Sequence, residues 1–130
     1  MSKKILLVDD SPTSRLNSRW MIGERSNYEL ISASDGKEGL EIALAQRPDL
    51  ILMDVVMPRM SGLEACRALK EQESTRAIPV ILLTTRGEQA TMQDAYQSGC
   101  SEFLTKPVDE KKLRAVLKTY LGEYYDLIYA

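Results

Sequence analysis

Three short runs of uninterrupted apolar residues punctuate the chain: Ile5-Leu6-Leu7-Val8, Leu50-Ile51-Leu52-Met53 and Val80-Ile81-Leu82-Leu83. Each is too short for a helix and is bounded by polar residues or proline. Continuous rather than alternating apolarity predicts strands covered on both faces, as in a parallel sheet. Glu29 to Ser34 alternates instead and reads as a half-covered or edge strand, and Glu102 to Thr105 is a weaker fifth.

Helical patterns fill the intervals. The first opens at Ser11 as N-cap with Pro12 in the first turn, and carries Leu16 and Trp20 four apart. The second opens at Asp35-Gly36 and runs through Leu40, Ile42, Ala43 and Leu44 until Arg47-Pro48 stops it. A third from about Gly62 to Gln72 turns Cys66 and Leu69 inward. The fourth covers roughly Glu88 to Ser98 and ends at Gly99. The last begins near Asp109 and presents Leu113, Val116, Leu117, Tyr120 and Leu121.

Five strands, each followed by a helix, make a (βα)5 chain, and right-handed crossovers favour a doubly wound α/β sandwich. Residues 1–130 read as one domain with a core over about 3–121. The remainder, 122–130, is rich in tyrosine. It reads either as a helix continued past Gly122, on the spacing Leu121, Tyr125, Ile128, or as the start of a connector.

Composition narrows the function by exclusion. The net charge is -2 and no basic stripe appears, so a direct nucleic-acid surface is not expected. No run approaches the ~18 apolar residues of a membrane span. The short Ile5–Val8 run after Lys3-Lys4 falls below the ~7–15 residues of a secretory leader, which points to the cytoplasm. Cys66 and Cys100 lack metal-ligand or CxxC spacing and read as free packed thiols. There is no histidine, so a nucleophile must be a carboxylate, hydroxyl, thiol or lysine.

In a parallel sheet, side chains at the C-terminal strand ends gather around one crevice. Here those ends are Asp9-Asp10, Asp54, Thr84-Thr85 and Lys106. Two carboxylates ~5 Å apart repel by about 3 kcal/mol at an effective dielectric of 20. Such a cluster binds protons or a hard cation. Magnesium accepts one or two carboxylates, keeps waters and coordinates phosphate. With Lys106 as a fixed cation and a threonine hydroxyl nearby, these are the parts that position and neutralise phosphoryl transfer.

The runs Leu7-Val8-Asp9-Asp10-Ser11, Asp54-Val55-Val56-Met57-Pro58-Arg59-Met60-Ser61-Gly62, Leu83-Thr84-Thr85 and Leu104-Thr105-Lys106-Pro107 resemble the receiver family of two-component signalling. The likeness covers about residues 3 to 121. It implies a flavodoxin-like fold with strand order 2-1-3-4-5 and Asp54 as phosphoacceptor. It implies Mg2+ held directly by Asp10, largely through water by Asp9, and by Asp54 and the Val56 carbonyl. Lys106 would pair with the phosphoryl oxygens, before a cis bond to Pro107. Thr84 and the Thr85 amide would bind the phosphoryl group, and Phe103 would be the switch aromatic, biased inward because it lacks a hydroxyl.

Val56 and Arg86, two residues beyond Asp54 and Thr84, flank the path of a hydrolytic water. The apolar Val56 cannot orient water, so slow self-dephosphorylation is expected. The resemblance further implies a sensor histidine kinase or phosphotransfer protein as donor and a downstream effector or output domain. Its usual partner face, open also to a homodimer, is the fourth helix, fifth strand and fifth helix. The domain would be no enzyme, assisting only its own phosphorylation and dephosphorylation. The competing reading is a magnesium-dependent phosphatase with an aspartate nucleophile, of the haloacid-dehalogenase-like class. That class places its nucleophile after strand one in a DxD spacing, which Val8-Asp9-Asp10-Ser11 lacks.

Overall fold

The computed structural model describes residues 3–23, 28–85 and 89–122. Strands β1 (Lys3–Val8), β2 (Tyr28–Ala33), β3 (Leu50–Asp54), β4 (Val80–Thr85) and β5 (Glu102–Lys106) alternate with five helices. These are α1 (Pro12–Ile22), α2 (Gly36–Gln46), α3 (Gly62–Glu71), α4 (Gln89–Gln97) and α5 (Glu110–Leu121). All pairings are parallel and the order is β2-β1-β3-β4-β5, the doubly wound arrangement that the resemblance implies.

The apolar runs divide residue by residue between two cores, because successive strand side chains point to opposite faces. Leu6, Val8, Ile51, Met53, Val80 and Leu82 pack with Ala43, Ala65, Cys66, Leu69 and Ala95 from α2, α3 and α4. Ile5, Leu7, Leu50, Leu52 and Ile81 pack on the other side with Ile22, Leu113, Val116 and Leu117 from α1 and α5. At roughly 1.5–3 kcal/mol for each fully buried aliphatic side chain, these central strands are where most of the hydrophobic stabilisation lies. That burial fixes where their polar C-terminal ends emerge.

Helix starts follow local chemistry. Ser11 accepts from the Ser14 amide, with Pro12 opening α1. Asp35 accepts from the Glu38 amide. Ser61 and Glu64 form a reciprocal capping box. Asp109 accepts from the Lys111 and Lys112 amides.

Two expectations are refined. Leu16 and Trp20 remain 64% and 75% exposed, while α1 buries Ser18 and Ile22 instead. The fifth helix closes at Leu121. Gly122 takes φ 89° and returns its amide to the Lys118 carbonyl, a glycine cap that interrupts a run through this position. The residues proposed for the continuation, Tyr125 and Ile128, lie outside the described residues. Cys66 and Cys100 are free and buried. Among the described residues, no helix is long and apolar enough to cross a membrane.

Candidate functional site

The sheet register brings the polar strand ends together. Asp54, the last residue of β3, lies opposite Leu83, and Thr84 and Thr85 lie opposite Thr105 and Lys106. Carboxylate oxygens of Asp9, Asp10 and Asp54 all fall within 4.8 Å of one another. Asp9 is 4% exposed and Asp54 9%, while Asp10 faces solvent. An all-oxygen donor set with one open side suits a hard divalent cation that keeps part of its water shell.

Lys106 reaches into this trio across the sheet. Its ammonium donates to Asp9 Oδ2 at 3.1 Å and to Asp54 Oδ2 at 3.1 Å. It also donates to Ser14 Oγ at 3.2 Å. Asp9 is further fixed by the Ser11 amide on Oδ1 at 2.9 Å, and its carbonyl accepts from the Arg15 guanidinium.

Burial pushes the Asp54 carboxyl above the usual aspartate range, outweighing the pull of Lys106, and the neighbouring Asp9 charge adds to the rise. For Lys106 burial acts downward, but the Asp54 carboxylate and then Asp9 outweigh it and hold the ammonium above its ordinary value. Three carboxylates gather here, and Lys106 pairs with two of them, Asp9 and Asp54. The cluster is short of positive charge, and a bound cation would relieve it.

The loop after β3 turns back sharply over Asp54. The Gly62 amide donates to the Val55 carbonyl at 2.8 Å, and a Cβ on Gly62 would meet the Asp54 carbonyl oxygen at 2.2 Å. Only glycine admits this approach. Val56, on the outside of the turn, is 62% exposed.

Thr84 is buried at the end of β4. Thr85 follows it in the strand, its side chain lying outside the description, and Arg86 lies outside the described residues. Phe103 is half-buried, packs on the core and meets Tyr96 of α4 edge-on, with ring centroids 5.2 Å apart and planes at 79°. The Lys106–Pro107 bond is cis.

Sequence reasoning did not single out Ser14, Asp35 with Arg59, or Tyr96. Ser14 is announced only by its place three residues after the Ser11 cap. The other contacts join separate elements and leave no local signal.

Comparison with known proteins agrees with this geometry. The family model described as the response regulator receiver domain matches residues 5–118. Protein PilH of Pseudomonas aeruginosa is 37% identical over 119 residues, covering 92% of this chain and 98% of that protein. The polar-differentiation response regulator DivK of Brucella anthropi is 37% identical over 123 residues, covering 95% and 99%. The crystal structure of the receiver domain of sensor histidine kinase PA1611 from Pseudomonas aeruginosa, with magnesium coordinated in its active-site cleft, superposes with a TM-score of 0.85. It is 31% identical and covers 95% of this chain and 100% of that one. Vibrio cholerae chemotaxis protein CheY4 gives a TM-score of 0.83 at 32% identity, covering 93% and 100%. The chain belongs to the response regulator receiver family and is a receiver domain of two-component signalling.

Proposed function

We propose that Asp54 is the phosphoacceptor of this receiver domain, modified in a Mg2+-dependent reaction by a histidine kinase or phosphotransfer protein. The observation that carries this reading is the carboxylate trio closed by Lys106, with the ammonium 3.1 Å from Asp54 Oδ2. Asp10 would hold the metal directly, Asp9 largely through water, and Asp54 and the Val56 carbonyl would complete the protein ligands. When bound, the metal supplies positive charge to the oxygens in flight.

The chain's own residues do the rest. An Asp54 carboxylate oxygen forms the new bond to phosphorus as the donor's bond to phosphorus breaks. Lys106 neutralises the charge gathering on the phosphoryl oxygens. The Thr84 hydroxyl and Thr85 amide then hold those oxygens, a charge-assisted hydrogen bond being worth about 1.5–3 kcal/mol. That is comparable with the 1–3 kcal/mol of a typical allosteric coupling. Thr84 moving toward the phosphoryl group vacates space for Phe103. The face of α4, β5 and α5 then changes for an effector, an output domain or a second copy of the chain. The chemistry is confined to the domain's own aspartate, and the setting is the cytoplasm.

The test is intact mass after incubation with acetyl phosphate and Mg2+. Wild type is expected to gain one phosphoryl group and Asp54→Asn none; equal gain in both would refute the assignment. The phosphatase reading is disfavoured by the absence of a DxD spacing after β1. Steady turnover of a phosphomonoester would revive it.

A further inference from the structure

We infer that Ser14 is a positioning residue for Lys106, holding the ammonium over the crevice while its two carboxylate partners change state. This rests on the phosphoacceptor reading of Asp54. The one-sentence basis is geometric: a lysine ammonium has three donors, and here all three are engaged, by Asp9 Oδ2, Asp54 Oδ2 and Ser14 Oγ at 3.1, 3.1 and 3.2 Å.

The three acceptors are not equivalent. Asp9 and Asp54 belong to the acidic trio, so a divalent cation bound there competes with Lys106 for their oxygens. Phosphorylation of Asp54 converts one of its oxygens from a free carboxylate acceptor into part of an acyl phosphate. Ser14 has neither duty. Its hydroxyl is neutral and sits outside the carboxylate trio, so it remains available in every state of the site.

Ser14 is also well placed to be a fixed point. It stands in the first turn of α1, where its own amide donates to Ser11 Oγ at 3.2 Å. Pro12 pre-sets that turn, and α1 has no acidic residue in its first turn to draw the ammonium elsewhere. Lysine, by contrast, is a flexible four-carbon stem with a compact charge. A cleft of about 250 Å³ opens beside it, lined by Ser14, Asn17, Met21, Lys106 and Val108 among others. Without the hydroxyl, the third N–H turns toward this cleft and its water, and the ammonium samples positions away from Asp54.

The experiment compares Ser14→Ala with Ser14→Thr, which keeps a hydroxyl, in two readouts. In the metal-free protein, the Lys106 ammonium protons are followed by nitrogen-15 NMR. They are expected to exchange slowly in wild type, to be lost to fast exchange in Ser14→Ala and to return in Ser14→Thr. With acetyl phosphate, the limiting rate of Asp54 modification in Ser14→Ala is expected to fall about tenfold, the low end for a hydrogen bond to a charged group. Because Ser14 is not among the metal's candidate ligands, the slowing should persist at saturating Mg2+, and Thr should restore the rate.

A rate in Ser14→Ala equal to wild type, an unaltered ammonium signal, or equal slowing in Ala and Thr would each overturn the inference. Wild type that cannot be phosphorylated would sink the phosphoacceptor reading instead, while the metal-free ammonium signal would still decide the role of Ser14.

Discussion

Arg59 and Asp35 tie the loop after β3 to the first turn of α2: the guanidinium reaches Asp35 Oδ2 at 2.8 Å while Oδ1 accepts from the Glu38 amide at 2.8 Å. The same junction is tightened by backbone, since a Cβ on Gly36 would lie 2.3 Å from the Met60 carbonyl oxygen. The loop that carries Val56 is thereby braced from outside the crevice.

Because the Arg59 side chain is 72% exposed, its pairing should behave largely as a surface ion pair. A double-mutant cycle of Arg59→Met with Asp35→Asn, which preserves the cap, is expected to give a coupling of roughly 0.2–1 kcal/mol in urea unfolding. Added salt should shrink it. A coupling indistinguishable from zero at low salt would mean the pair does not brace the loop.

Val56 presents an exposed apolar side chain two residues beyond Asp54. It offers no hydrogen bond to an attacking water, so the phosphorylated domain is expected to lose its phosphoryl group slowly. Val56→Asn restores a donor and acceptor and should speed the loss several-fold, followed as phosphate release. Unchanged or slower release would count against this assignment.

The edge-on contact of Phe103 with Tyr96 is of a kind worth about 0.5–1.5 kcal/mol beyond burial. If Thr84 draws toward a phosphoryl group, Phe103 should shift and this contact should change. Ring proton resonances of Phe103, compared with and without a beryllofluoride mimic and Mg2+, provide the check. A ring that stays where it is removes Phe103 from the switch.

Burial, helped by the Cys66 thiol and Glu102, pushes the Cys100 thiol up to about 11 from an ordinary 9.0. A thiol with a raised folded pKa favours the fold fully below its unfolded value and loses that contribution as pH climbs through the folded one. The window is therefore pH 9 to 11. The loss should amount to about 2–3 kcal/mol, at 1.36 kcal/mol per pKa unit. Urea unfolding of wild type across this window should fall more steeply than that of Cys100→Ala. Parallel slopes would show that Cys100 does not titrate with unfolding.

The strand ends were legible in the sequence because each apolar run stops at a residue of distinct chemistry, and a parallel sheet collects such ends by construction. Burial inside the helices was harder to read. Leu16 and Trp20 look like a helical stripe, yet α1 sits on the sheet through Ile22 and Ser18 and leaves that stripe in solvent. The contacts of Lys106 with Ser14 and of Arg59 with Asp35 depend on how elements dock. Residue 14 lies 92 positions from residue 106, a separation that no local pattern reports. The glycine at 122 carried a double meaning, tolerable within a helix at about 1 kcal/mol yet preferred as its cap; Gly122 itself caps α5, and residues 123–130 lie outside the described residues.

Lys106 meets Asp9 across 97 positions of chain and Asp54 across 52. During synthesis the acidic residues therefore leave the ribosome well before the cation that completes them. Until β5 emerges and docks on β4, the growing polypeptide has the acids without their counter-charge. On the phosphoacceptor reading of Asp54, competence to be modified should be acquired late, once the sheet has closed over the crevice.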